Sequence, residues 1–179
     1  MESLRLYLGG PAGAGKSTVA AILAADFGFR RVSLGDIVRR ECVHRGLDPA
    51  RGNLQATGDG LRGPEPHRLA ALAAGVAVRM RGAVVIEGVR LVAEAEYLGG
   101  LGYIGVRVQA PEAMRMARIA ARDGSTCVPD HPTECEASVL PADLVLTNDT
   151  GDHGILRRRA RLIVARTVLL AAERAYRLA

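Results

Sequence analysis

Apolar and polar positions along the chain predict strands and helices in turn. An apolar run of buried-strand length, residues 4–8, precedes a glycine-rich stretch and then an apolar helix pattern at 18–25. The same order recurs downstream. Further strands are predicted at 31–34, 83–87, 103–109 and 143–147, further helices at 36–45, 53–62, 67–81, 91–98, 112–122 and from about 155 to the end, and an irregular segment at 123–141.

Strands separated by helices predict an α/β fold, a three-layer sandwich in which helices cover both faces of a parallel five-stranded sheet. Ligands on such sheets bind at the carboxyl ends of the strands. Lys16, Asp36, Glu87 and Arg90 each stand at or just after the end of a predicted strand. We therefore expect these four side chains at one edge of the sheet.

The glycine-rich stretch has the spacing G-x-x-x-x-G-K-S over residues 10–17, which is the P-loop signature. Lys16 is the one lysine among 24 basic side chains. In this motif backbone N–H groups surround phosphate oxygens, the lysine reaches the terminal phosphates and the serine hydroxyl ligates magnesium. The motif predicts ATP and Mg²⁺ as ligands, bound by Gly10, Ala12, Gly13, Ala14, Gly15, Lys16, Ser17 and Thr18.

Two charged turns follow other strands. Asp36 begins a helix with Arg39 one turn on, so both side chains can face the same side; Asp36 can also cap that helix. Glu87 closes an apolar strand and is predicted to hold magnesium directly or through water, with Asp36 and Ser17 as the other candidate metal ligands. Arg90 is predicted to bind phosphate, because a guanidinium suits bidentate phosphate contacts.

Composition and charge indicate which kinds of partner the protein is expected to bind. A chain of 179 residues with 49% apolar content predicts a single domain over residues 1–179. A net charge of +5 suits an anionic substrate, whereas 3% aromatic residues leave little to stack on bases, so nucleic acid is not expected as a partner. No membrane-spanning or signal segment is recognised, and three cysteines without framework spacing fit a cytoplasmic protein.

Several segments resemble the nucleoside monophosphate kinase group of P-loop proteins. SLGDIVRR at 33–40 is similar to the group's acceptor-site turn, and VVIEGVR at 84–90 to its strand-end segment, with Glu for Asp and one residue fewer before the arginine. Residues 111–122 resemble the helix that enters the lid. Segments 61–64, 131–134 and 142–149 make the likeness closest to the dephospho-CoA-kinase-related and phage-type deoxynucleoside monophosphate kinases.

The resemblance implies ATP-dependent phosphoryl transfer to a nucleoside monophosphate. It implies acceptor-binding helices at about 36–81 and a lid at about 123–141, which would close to exclude water. It places Arg118 near the donor base and Arg122 on the transferring phosphate. Arg39 and Arg90 would clamp the acceptor phosphate, and Asp36 would orient the acceptor or a magnesium-bound water. The predicted catalytic residues are thus Lys16, Asp36, Arg90, Arg118 and Arg122.

Other readings stay open. The acceptor could instead be dephospho-CoA or another hydroxyl-bearing metabolite, or the chain could be a nucleotide-dependent switch that docks through its basic terminal helix. The chain could be a monomer or a homodimer. Arg115 is either a third phosphate contact or a solvated residue, and we favour the latter. Cys127, His131 and Cys135 are weak evidence for a zinc site, because they include no C-x-x-C pair.

Overall fold

The computed structural model describes residues 4–123 and 136–178. Within them five strands and seven helices alternate as the sequence predicts, and a further helical turn covers 136–138. The strands are β1 (Arg5–Gly9), β2 (Arg30–Ser33), β3 (Val84–Val89), β4 (Ile104–Gln109) and β5 (Leu144–Thr147). The helices are α1 (Lys16–Phe27), α2 (Leu34–His44), α3 (Arg51–Arg62), α4 (Arg68–Ala77), α5 (Val92–Gly100), α6 (Glu112–Asp123) and α7 (His153–Leu178).

The five strands form one parallel sheet in the order β2-β3-β1-β4-β5, which confirms the predicted α/β fold. Leu8 of β1 pairs with Glu87 on one side and with Val106 on the other. The chain thus extends the sheet from β1 in both directions. This order places a crevice at the carboxyl end of β1, where ligands of open α/β sheets bind.

Two apolar cores lie on the two faces of the sheet. Leu6 and Leu8 face α1 and α7, whereas Tyr7 between them faces α4 and α5, as the period of two in a strand requires. Leu6 and Leu8 are fully buried, and each such side chain contributes about 1.5–3 kcal/mol relative to an exposed one. Because both faces are covered, the strands β1 and β3 at the centre of the sheet are mostly buried and apolar.

Several element boundaries differ from the predicted ones, and at two of them the structure shows the cause. Helix α4 ends at Ala77 rather than at residue 81, because the N–H groups of Arg79 and Met80 donate to carbonyls three residues back and tighten the last turn. Strand β3 continues to Val89, with a register shift that leaves Gly88 unmatched at φ 90°. Glu87 therefore lies inside the strand and does not end it.

The end of the predicted lid segment packs against the sheet. Leu140 is buried, the Tyr7 hydroxyl donates to the carbonyl of Pro141 at 2.7 Å, and Arg107 donates to that of Leu140 at 3.2 Å. Residues 124–135, including Cys127, His131 and Cys135, lie outside the described residues. A lid over that segment stays a prediction. Among the described helices, none is long and apolar enough to cross a membrane.

Candidate nucleotide and acceptor site

The phosphate loop occupies residues 10–15, between the end of β1 and the start of α1. Gly13 and Gly15 have φ angles of 73° and 98°, a region that side chains rarely adopt. Both also lie against neighbouring structure, because an added Cβ would come 2.5 Å from the carbonyl oxygen of Arg115 and 2.3 Å from Nδ2 of Asn148, respectively. Glycine is needed at these two positions for conformation and for space.

Lys16 folds back into the loop that it follows. Its Nζ donates to the carbonyls of Gly10 at 2.6 Å and Pro11 at 2.8 Å, and the side chain is buried. Ser17 comes next, exposed in the first turn of α1. The unsatisfied N–H groups and positive dipole end of a helix attract anions. The structure thus places the ammonium, the Ser17 hydroxyl and a helix N-terminus together at the carboxyl end of β1.

Helix α6 and the loop after β5 support the phosphate loop from outside. Arg118 donates to the carbonyls of Gly13 at 3.3 Å, Asn148 at 3.3 Å and Thr150 at 3.1 Å. Arg115 is half-buried and donates to the carbonyl of Ala12 at 3.3 Å, so the expectation of a solvated Arg115 is wrong. The spacing of Arg115 and Arg118 on one helix face was visible in the sequence, but its target was not.

A cleft of about 640 Å³ lies between α2, α3 and the phosphate loop. Its lining includes Ala12 of that loop and an apolar wall to which Leu34, Val38 and Leu54 contribute. Asp59 also lines the cleft. Five arginines line this space: Arg39, Arg51, Arg62, Arg90 and Arg122. The structure thus brings together Arg39, Arg90 and Arg122, as predicted for one site.

Arg51 and Arg62 were not singled out from sequence. Arg62 is anchored by Glu94, which is fully buried on α5, with Nε 2.9 Å from Oε1. The other oxygen of Glu94 accepts from the backbone N–H groups of Arg90 at 2.9 Å and Leu91 at 3.2 Å. Glu94 therefore links α3 to the backbone that carries Arg90. An acid three residues into a helix is a capping-box signal that could have identified it.

Glu87 and Arg31 form an ion pair between β3 and β2. Glu87 is buried, and Arg31 donates to its Oε1 from Nη2 and from Nε, the latter at 2.6 Å. Both hydrogen bonds use the same carboxylate oxygen. The predicted magnesium ligand thus has a basic partner that the sequence alone did not indicate.

Asp36 lies apart from the arginine-lined cleft. It borders a separate hollow with Arg31, Ser33 and Arg40, and its Oδ1 is 3.1 Å from Nη1 of Arg39. The cap of α2 is Ser33, whose Oγ accepts from the backbone N–H of Asp36 at 3.2 Å. The capping role considered for Asp36 is therefore wrong. Arg39 borders both spaces and connects them.

A phosphate loop beside an arginine-lined cleft, on a five-stranded parallel sheet, defines a protein with the P-loop kinase fold. The chain belongs to the AAA domain family, whose model matches residues 9–136.

Relatives include proteins with and without a stated activity. The UPF0200 proteins of Methanothrix thermoacetophila and Aeropyrum pernix are 36% and 38% identical over 66% and 62% of this chain. The matches cover 65% and 60% of the lengths of those two relatives. The cytidylate kinase of Haloquadratum walsbyi is 33% identical over 84% of this chain and 76% of its own.

Solved structures share the fold. The shikimate kinase of Acinetobacter baumannii, in complex with shikimate, superposes with a TM-score of 0.63 at 18% identity, covering 96% of each chain. The APS kinase of Mycobacterium tuberculosis, in complex with AMPPNP and APS, gives 0.57 at 18% identity, covering 92% of this chain and 96% of its own. The finer likeness to dephospho-CoA-kinase-related and phage-type enzymes stays a prediction.

Proposed function

We propose that this protein transfers the terminal phosphoryl group of ATP to a nucleoside monophosphate, with either ribose or deoxyribose as its sugar. The observation that carries the proposal is the cleft in which Arg39, Arg90 and Arg122 share a lining with Ala12 of the phosphate loop. Such a cleft would hold an anionic acceptor next to the phosphates of ATP. The cytidylate kinase relatives support a nucleotide as that acceptor.

The donor half of the site is the phosphate loop. Its amides, the Lys16 ammonium and the N-terminus of α1 would hold the phosphates. Arg118 lies against the carbonyls of Asn148 and Thr150, in the loop that follows β5. This position supports the expected role of Arg118 near the donor base. Arg122, one turn further along α6, lines the cleft and would contact the group in transfer.

The acceptor half is the cleft itself. Arg39 and Arg90 would hold the acceptor's phosphate in bidentate contacts, and the apolar wall would cover the sugar and base. An oxygen of that phosphate attacks the γ-phosphorus of ATP, and the bond from this phosphorus to the β-γ bridging oxygen breaks. ADP and a nucleoside diphosphate result. The side chains do no covalent chemistry; they align the two phosphates and balance their charge.

Magnesium fits the oxygen donors present. The Ser17 hydroxyl would be a direct ligand, and Glu87 has a second carboxylate oxygen that does not bind Arg31 and would accept from a metal-bound water. Asp36, the third proposed ligand, borders another hollow. When bound, the ion would neutralise charge on the β- and γ-phosphates.

The test is an ADP-release assay with magnesium and ATP against all ribo- and deoxyribonucleoside monophosphates, dephospho-CoA and shikimate. It includes Arg39→Ala and, as a matched control, Arg40→Ala, because Arg40 is adjacent but does not line the cleft. We expect turnover with one or a few monophosphates. The acceptor KM should rise about 10- to 100-fold in Arg39→Ala and change little in Arg40→Ala.

Turnover with dephospho-CoA or shikimate alone, unaffected by Arg39→Ala, would replace the proposal with the metabolite-kinase alternative. ATP binding without stimulation by any acceptor would favour a nucleotide switch. Either result contradicts the nucleoside monophosphate kinase.

A further inference from the structure

Three consecutive carbonyls of the phosphate loop are hydrogen-bonded from outside the loop. Nη1 of Arg115 donates to Ala12 and Nη1 of Arg118 to Gly13, each at 3.3 Å, and Nδ2 of Asn148 donates to Ala14 at 2.9 Å. We call the three donors, Arg115, Arg118 and Asn148, the carbonyl clamp. They come from two elements distant in sequence, α6 and the loop after β5.

The two preceding carbonyls point the other way. Those of Gly10 and Pro11 accept from Nζ of Lys16, which lies inside the loop. The carbonyl direction therefore reverses between Pro11 and Ala12. The carbonyls of Gly10 and Pro11 point into the loop and accept from Lys16, whereas those of residues 12–14 point outward and accept from the clamp.

The reversal determines where the amides point. In a planar trans peptide the carbonyl and the following N–H point in opposite directions. A carbonyl held outward thus turns the next N–H inward, which applies to Gly13, Ala14 and Gly15. The N–H of Ala14 also closes a turn onto the carbonyl of Pro11 at 3.3 Å. The N–H groups of Gly13 and Gly15 are thus directed to the interior of the loop, where an anion would bind.

Asn148 is the most constrained member of the clamp. Its side chain is buried, its backbone N–H donates to the carbonyl of Gln109 at 2.7 Å, and its carbonyl accepts from Arg118. Away from water, an amide that loses its partner is not easily satisfied by another. The Asn148 side chain therefore holds the peptide between Ala14 and Gly15 in one orientation.

We propose that the carbonyl clamp consists of positioning residues that preorganise the loop amides for polyphosphate, with Asn148 as the principal member. The inference rests on the proposed function only in that the anion is the polyphosphate of a nucleotide. Preorganised dipoles bind charge without the cost of ordering at the moment of binding. Loss of the Asn148 amide should thus weaken phosphate binding and leave intact the base side of the site, where Arg118 is expected.

The experiment compares Asn148→Ala with the wild type by isothermal titration calorimetry, without added magnesium. The probes are AMPPNP, tripolyphosphate and adenosine. We expect AMPPNP and tripolyphosphate to bind about 10- to 100-fold more weakly and adenosine to bind as before. Asn53→Ala is the matched control, because its amide donates to the carbonyl of Asp48 at 2.9 Å outside the loop. It should leave all three affinities within about twofold.

Unchanged tripolyphosphate binding in folded Asn148→Ala overturns the proposal, and so does an equal loss for adenosine and AMPPNP, which marks a general structural role. If Asn148→Ala does not fold, Arg115→Met replaces it, and Arg158→Met is the control for a lost positive charge. The proposal then requires that Arg115→Met weakens the binding of AMPPNP and tripolyphosphate but not of adenosine. Arg158→Met should leave all three affinities unchanged. The wild type also separates the two proposals. AMPPNP binding without turnover on any acceptor would contradict the proposed kinase activity but would not contradict the proposed role of the clamp.

Discussion

Arg31 and Glu87 form an ion pair between the neighbouring strands β2 and β3, and Glu87 lies level with a residue two positions before the phosphate loop. Glu87 lies beside Leu8 in the sheet, and Gly9 and the loop follow directly. The carboxylate is 2% exposed, whereas the Arg31 side chain is 37% exposed. The pair therefore connects the edge strand β2 to β3, which lies next to β1, the strand that leads into the phosphate loop.

Removal of one partner of this pair should destabilise the fold. We expect Arg31→Met to lower the free energy of unfolding by about 2–4 kcal/mol, because it leaves a buried carboxylate without its cation. The double variant Arg31→Met with Glu87→Gln should recover part of that loss. Urea denaturation measures both, and Arg30→Met is the control on an exposed neighbour. Equal stability of Arg31→Met and Arg30→Met would contradict the prediction.

Lys16→Met should abolish turnover while the fold persists. The variant loses the ammonium that would reach the terminal phosphates, and we expect a fall in kcat of about 10³-fold. Circular dichroism spectra should match the wild type. Substantial residual turnover would show that the phosphate loop does not act as proposed.

Glu94→Gln should affect the acceptor more than the donor. The neutral amide weakens the anchor of Arg62 and alters the acceptor for the backbone N–H of Arg90, so both side chains should shift in the cleft. We expect the acceptor KM to rise about 10-fold and the KM for ATP to stay within twofold. Glu96→Gln, an exposed acid on the same helix, is the control. A parallel rise in both KM values would indicate general damage.

Alkaline pH should reveal the burial of Tyr7. Desolvation, helped by the negative charge of Asp143, raises the pKa of Tyr7 from 10.0 to about 12. Because the folded-state pKa is the higher one, the stabilisation is complete below pH 10 and is lost as the pH rises toward 12. This loss should reach roughly 2–3 kcal/mol.

Tyr7→Phe tests that effect. The variant should be less stable at pH 8 by about 1 kcal/mol, since it loses the hydrogen bond to the carbonyl of Pro141, but its stability should fall less between pH 10 and 12. Burial also raises the pKa of Tyr103, which is present in both proteins and cancels in the comparison. Identical pH profiles would disprove the assignment to Tyr7.

The sequence predicted the fold well because local signals agree with the tertiary structure. Apolar runs of strand length alternate with amphipathic segments, and that order admits few topologies. The errors lie at element ends. Helix α4 ends early and β3 runs past Glu87, because hydrogen bonds at a tightened turn and a register shift at Gly88 set those limits.

The site was predictable in part. The residues of the phosphate loop are consecutive in sequence, so Lys16 and Ser17 could be located from the motif directly. Arg90 was predicted from its position after a strand and Arg39 from its place one helical turn after Asp36, and both line one cleft in the structure. Arg62 and Asn148 lie in segments that carry the family resemblance, but their roles could not be predicted, because Glu94 and Ala14, which they contact, are 32 and 134 residues away in sequence.

The sequence by itself determined the parallel sheet, the phosphate loop and the net positive charge, because periodicity, glycine spacing and charge are properties of the sequence itself. Only the tertiary structure decided which arginines share the cleft, that Arg31 binds Glu87, and that Arg115, Arg118 and Asn148 hold the outer carbonyls of the loop. The physical reason is distance along the chain. These contacts form when separate helices and strands pack together, and the local sequence around either residue does not indicate its partner.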